Sequence, residues 1–204
     1  MPGVFVAFEG GEGAGKSTQV RRLADSLAAM GREVVTTFEP GDTGVGQELR
    51  TILLGHQTGS LDARTEALLY AADRAEHVAA VVRPALERGA VCITDRYVDS
   101  SIAYQGAGRV LEPGEVERLS SWATGDLTPH LTVLLDVDPE VGLSRFDTPA
   151  DRLEAEPIAF HQRVREHFLL LSRRDPGRYL VLDAARPVDE LSGAVQKAVA
   201  ELLS

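Results

Sequence analysis

One cysteine, Cys92, is all that the 204 residues contain, so no disulfide can form within the chain. It sits in Gly89-Ala90-Val91-Cys92-Ile93-Thr94, a buried-strand pattern. There it reads as a small buried hydrophobe rather than a reactive thiol. No apolar run approaches the ~20 residues that a membrane span needs. Val4–Phe8 meets Glu9 too soon to be a secretory segment. A cytoplasmic protein with no membrane partner is expected. Positive charge is also short: 21 Lys and Arg stand against 31 Asp and Glu, a net charge of -10. A surface that acidic repels phosphate backbones and argues against nucleic acid as a partner. An acidic chain that handles small phosphates must gather its cations in one place. The five histidines form no spaced ligand set, and no repeat, low-complexity tract or long linker is present.

What is present is ordinary globular material, 44% apolar and 25% charged, enough for one domain over 1–204. Five short apolar runs read as strands buried on both faces: Val4–Phe8, Glu33–Phe38, Val91–Thr94, Leu131–Val137 and Tyr179–Leu182. Between them, Leu68, Ala71, Ala72, Ala75, Val78, Ala79 and Val82 recur at helical spacing, as do Phe160, Val164, Phe168 and Leu171. Pro139, Pro157 and Pro187 fall where helices begin. Strands alternating with helices predict an α/β three-layer sandwich. Its five-stranded parallel sheet carries helices on both faces and binds ligand at the strands' carboxyl ends.

Gly10-Gly11-Glu12-Gly13-Ala14-Gly15-Lys16-Ser17 fits the phosphate-loop pattern G-x-x-x-x-G-K-[ST] without mismatch. A chance match in such a chain has odds on the order of one per cent. The motif also follows a strand and opens a helix, Ser17 to about Met30. Its glycines turn backbone N–H groups toward phosphate oxygens, Lys16 adds a point charge, and the helix aims its positive end at the anion. Gly10 to Thr18 are therefore the candidate nucleoside triphosphate-binding residues, and the Ser17 hydroxyl a candidate Mg²⁺ ligand. The loop alone says only that a nucleoside triphosphate binds. The absence of a guanine-reading Asn-Lys-x-Asp sequence weakens a GTPase reading.

Asp95-Arg96-Tyr97 follows the third strand directly. An Asp there can hold the water around Mg²⁺, and an Arg can clamp a second phosphate bidentately. By themselves the two equally suit an ordinary salt bridge at a strand end. If the next stretch is helical, Ser101, Tyr104 and Gln105 share a face offering a hydroxyl, an aromatic and an amide, a set able to read a base and pack a sugar. Tyr70 and Arg74 form another one-face pair suited to a stacked pyrimidine, although Tyr70 alone reads better as a core-edge aromatic.

These segments resemble the bacterial thymidylate kinases over nearly the whole chain. The resemblance rests on Phe8 to Ser17, Glu39-Pro40-Gly41, Asp73-Arg74 and, most specifically, Asp95-Arg96-Tyr97-Val98-Asp99-Ser100-Ser101-Ile102-Ala103-Tyr104-Gln105-Gly106. It implies phosphoryl transfer from ATP to dTMP. The dTMP-binding set it implies is Glu12, Glu39, Tyr70, Arg74, Arg96, Ser101, Tyr104 and Gln105. Tyr70 would stack on thymine, Ser101 and Gln105 would lie near the base, and Tyr104 would crowd the sugar 2′ position. Metal ligation falls to Ser17 and Asp95, and a homodimer is implied.

Some family members carry a catalytic arginine inside the phosphate loop. The matching residue here is Gly13. The resemblance then points to a short lid, about 144–155, containing Ser144-Arg145-Phe146-Asp147-Thr148-Pro149-Ala150-Asp151-Arg152-Leu153-Glu154. Lys16, Arg96, Arg145 and Arg152 are the catalytic candidates. Phe38 also departs from the family, which usually has an Arg just before Glu-Pro-Gly. Two rival readings are a kinase for another nucleoside monophosphate and a non-catalytic ATP-binding regulator.

Overall fold

The computed structural model describes residues 3–109, 111–146 and 151–204. Five strands form one sheet: β1 (Val4–Glu9), β2 (Val34–Phe38), β3 (Val91–Asp95), β4 (Leu131–Asp136) and β5 (Tyr179–Asp183). Their order is β2-β3-β1-β4-β5 and every pairing is parallel. Each apolar run becomes a strand, but the edge strands β2 and β5 are only partly buried, not covered on both faces as expected.

The alternation of a strand's side chains puts two cores on one sheet. Val4, Val6 and Phe8 of β1 face helices α1 (Lys16–Ala29) and α9 (Val188–Leu202), through Val20, Leu23 and Leu27 and through Leu191, Val195 and Val199. Phe5 and Ala7 face the other way, onto Val78, Val82, Ala85 and Tyr97. On that second side α8 (Ile158–Arg174) brings Phe160, Val164 and Phe168 to Leu134 of β4. Pro139 opens α7 (Pro139–Leu143), and Pro157 and Pro187 cap α8 and α9.

The helix α3 (Ala63–His77) departs from its predicted stripe. Leu68 is 57% exposed, and Ala72 and Ala79 also face outward. The buried face instead carries Glu66, Tyr70, Asp73, Arg74 and His77. This helix flanks a polar cavity, and its buried polar side chains bond Glu39, Gly41, Ser101, Gln105, Arg109 and Arg152. Only after the helix widens into a π-turn at Val78–Val82 do its apolar residues reach the sheet. The remaining helices are α2 (Gly44–Leu54), α4 (Arg83–Glu87), α5 (Val98–Ser101) and α6 (Pro113–Thr124). The α5 helix runs into a second π-helical stretch, Ile102–Gly108. Such widenings recur at functional sites, and this one carries Tyr104 and Gln105.

Candidate active site

The carboxyl ends of β1, β2 and β3 open onto a cavity of about 860 Å³. The phosphate loop bridges β1 to α1 on one side of it. Two of its glycines are obligatory. At Gly10 (φ 140°) a Cβ would lie 2.4 Å from the Leu135 carbonyl oxygen, and at Gly13 (φ 66°) 2.1 Å from that of Gly142. The second clash explains why no arginine stands at position 13: α7 is packed against the loop through its own glycine. Lys16 Nζ donates to the carbonyls of Gly10 and Gly11, at 3.1 and 2.9 Å. Its burial and the nearby Arg96 charge depress its pKa. The Ser17 hydroxyl donates to Asp95 Oδ2 at 2.7 Å. Two adjacent hard oxygens fit Mg²⁺, which takes one or two protein oxygens and completes its shell with water and phosphate.

Arg96 stands at the centre. Its backbone is in the left-handed region (φ 72°), a conformation that costs a non-glycine residue and is kept only where the surroundings impose it. The imposition is visible. The Arg96 N–H donates to Phe8 O at 2.9 Å. Glu9, at the end of β1, accepts from the N–H groups of Tyr97 and Ser100, at 2.9 and 3.1 Å. Burial and the charge of Asp99 push the Glu9 carboxyl well above the ordinary range. So clamped, the Arg96 guanidinium donates to Glu12 Oε1 at 2.6 Å, to Ser100 Oγ at 3.1 Å and to Gly10 O at 3.2 Å. It also lies 5.0 Å above the Tyr104 ring centre. The Tyr104 hydroxyl donates to the same Glu12 oxygen at 2.8 Å. Burial opposes ionisation of Glu12, but Arg96, Lys16 and the Tyr104 hydroxyl together hold its carboxyl down, to about 2.

The far wall belongs to α3. Arg74, 2% exposed, donates from Nε to Glu39 Oε2 at 2.8 Å, and from Nη2 to Tyr97 O and Ser101 Oγ, both at 3.1 Å. Its Nη1 has no partner among the described residues. Glu39 Oε1 meets His77 Nδ1 at 2.8 Å. Asp73 Oδ1 accepts from the Gly41 N–H at 3.0 Å, fixing the Glu39-Pro40-Gly41 turn onto α3. Burial and the charge of Glu39 raise the Asp73 carboxyl to about 6. Tyr70, Ser101 and Gln105 complete this wall.

The two lid arginines separate. Arg145 lines the cavity, and its Nη1 donates to the carbonyl of Gly13 at 2.6 Å. Arg152 turns away: it donates to Leu53 O, at 3.2 Å from Nε and 3.0 Å from Nη2, and also bonds Glu66. It is not among the cavity's lining residues. The centre of the expected lid, 147–150, lies outside the described residues. Thus the expected site residues from Glu12 to Gln105, with Arg145, line one cavity; Gly10, Gly11 and Arg152 do not line it.

Sequence reasoning missed Glu9, His77, Glu66 and Arg50. Arg50 lines the cavity, sits 5.6 Å over the Phe38 ring and donates to Pro40 O at 2.6 Å. It places a guanidinium beside Phe38, where the resemblance expects an arginine. Nothing in the local sequence of these four announces them. Their roles come from strand order and helix packing.

A phosphate loop facing a second, arginine-lined subsite within one cavity defines a P-loop phosphotransferase of the nucleoside monophosphate kinase type. The thymidylate kinase family model matches residues 8–195. A thymidylate kinase of Clavibacter michiganensis is 54% identical, across 100% of this chain and 98% of that one. That of Cutibacterium acnes is 53% identical over the full length of both. A solved thymidylate kinase structure from Ehrlichia chaffeensis superposes with a TM-score of 0.80 at 29% identity, covering 98% and 99% of the two chains. The chain belongs to the thymidylate kinase family.

Proposed function

We propose that the chain transfers the γ-phosphoryl group of ATP to dTMP, giving dTDP and ADP. The observation that carries this reading is that one cavity holds both the phosphate loop and the acceptor set of Tyr70, Arg74, Arg96, Ser101, Tyr104 and Gln105. ATP lies along the loop amides with Lys16 at its β- and γ-phosphates. Ser17 and Asp95 would hold Mg²⁺, which supplies charge neutralisation on the donor phosphates.

Arg96 binds the dTMP phosphate and aims it in line with the γ-phosphorus. That exchange draws the guanidinium from Glu12 toward the incoming phosphate and leaves Glu12 for the sugar. No strong base is required, because the attacking phosphate oxygen is already anionic. Tyr104 packs where a ribose 2′-hydroxyl would project, and Tyr70 stacks on the base. Arg145, held at the Gly13 carbonyl, is the lid arginine that meets charge developing between donor and acceptor. Closure of the 144–155 lid excludes water, so that dTMP rather than water receives the phosphoryl group. Arg152 seats the lid's exit.

The protein acts as a cytoplasmic homodimer in this reading. Leu68 on α3 and Trp122 on α6 are 57% and 81% exposed and offer apolar surface for a second copy. A monomeric mass by light scattering would refute the dimer. For the activity, ADP release from ATP and Mg²⁺ is measured with dTMP, dUMP, dCMP, dGMP, dAMP, UMP and CMP in turn. Turnover strongly favouring dTMP is expected. Preference for another monophosphate would overturn the base-reading assignments, and turnover independent of any acceptor would overturn the kinase reading.

A further inference from the structure

Glu66 plays no direct part in the reaction described above. It is fully buried on α3 and does not line the cavity. Yet three side chains converge on its carboxylate. Gln105 Nε2 donates at 3.1 Å, Arg109 donates from Nε and Nη2 at 3.3 Å each, and Arg152 donates from Nη2. Burial alone would raise this carboxyl, but the hydrogen bonds from Arg152, Gln105 and Arg109 carry it below its ordinary value. Glu66 is therefore an anion at neutral pH, and a carboxylate only accepts hydrogen bonds.

That fact orients Gln105. Its amide has a donor end and an acceptor end on one planar group, and the two are easily exchanged by rotation. Facing an obligatory acceptor, the NH₂ end must turn to Glu66. The carbonyl oxygen is then the end left to the cavity that Gln105 lines. On the same wall Arg74 keeps one donor, Nη1, without a partner among the described residues. The pair offers an oriented acceptor and an oriented donor. Thymine and uracil present a donor at N3 and an acceptor at O4. Cytosine presents an acceptor at N3 and a donor at N4, and so opposes the pair at both points.

We propose that Glu66 is a positioning residue that sets base specificity, by locking the Gln105 amide in the orientation that accepts a pyrimidine with an N3–H and rejects cytosine. The proposal rests on the dTMP reading given above. Glu66 never touches the nucleotide. Arg109 extends the same anchor to Glu156, at 2.5 Å, so the base reader and the lid's exit hang from one buried carboxylate.

The test compares kcat/KM for dTMP and for dCMP in the unmodified enzyme, Glu66→Gln, Gln105→Ala and the double variant. Absence of dTMP turnover in the unmodified enzyme would sink the functional reading. The proposal for Glu66 is judged in an active enzyme. Glu66→Gln is expected to lower the dTMP-to-dCMP ratio about tenfold, the scale of one oriented hydrogen bond, chiefly through the KM for dTMP. Against Gln105→Ala the same substitution should change the ratio no further. An unchanged ratio overturns the proposal, as does a loss that persists in the Gln105→Ala background. Should Glu66→Gln fail to fold, hydrogen exchange of the Gln105 side-chain amide is read by NMR in the unmodified protein. One Nε2 proton protected before and after dTMP addition supports the lock; free exchange of both overturns it.

Discussion

Replacing Glu12 by Gln removes one charge from the centre of the site and keeps its shape. In the structure Glu12 Oε1 takes both the Arg96 Nη2 bond, at 2.6 Å, and the Tyr104 hydroxyl, at 2.8 Å, and its side chain is 14% exposed. An amide oxygen can accept both bonds but carries no charge. Folding moves this carboxyl from 4.5 to about 2. Because the folded value is the lower, the unfolded chain binds more protons between those limits, and stability rises with pH across them. The contribution is complete above pH 4.5 and is lost as pH falls toward 2. It amounts to about 3 kcal/mol at pH 6 and about 1 kcal/mol at pH 3. The difference in unfolding free energy between the parent and Glu12→Gln should therefore shrink by about 2 kcal/mol from pH 6 to pH 3. Urea unfolding followed by circular dichroism measures it; Trp122, 81% exposed, is a poor fluorescence reporter of the core. Parallel curves for the two proteins over that range would refute the claim that Arg96 and Lys16 hold Glu12 ionised.

Other substitutions separate neighbouring roles. Arg96→Ala should abolish most turnover, and Arg96→Gly should be as inactive yet about 1 kcal/mol more stable than the Ala variant, because glycine relieves the left-handed backbone; equal stability by thermal unfolding would deny that strain. Gly13→Ala should lower stability by more than about 1–2 kcal/mol, the cost of φ 66° for alanine before its clash with Gly142 is added. A fully stable, active Gly13→Ala protein would show that α7 yields easily. Arg145→Ala should lower kcat by roughly 10³-fold with little change in thermal stability, since an arginine at the developing charge is worth that much. Arg152→Ala should instead lower stability and spare more of kcat, and the reverse ranking would return Arg152 to the phosphates.

The strand–helix alternation and the phosphate loop were legible because their signals are local. Five short apolar runs and one uninterrupted motif each announce their own structure. The α3 stripe misled for a physical reason. Small alanines satisfy helical spacing on either face, while the buried face carries Glu66, Asp73, Arg74 and His77, whose burial depends on partners distant in sequence. Arg74, for example, is bonded by Glu39, 35 residues away. Glu9 and Glu66 were illegible in the same way: a lone carboxylate says nothing until strand order and helix packing bring its donors. Lid spacing alone made Arg145 and Arg152 equivalent. The packing of α7 on Gly13 brings one to the phosphate loop, and the anchor on Leu53 and Glu66 takes the other away.

The most direct measurement follows the γ-phosphoryl group itself. ATP labelled with ³²P at the γ-position is incubated with Mg²⁺, dTMP and the purified protein, and the products are separated. Label is expected in dTDP, formed in step with ADP, and almost none in inorganic phosphate while dTMP is present. Label released as inorganic phosphate at the same rate with and without dTMP would contradict phosphoryl transfer to dTMP.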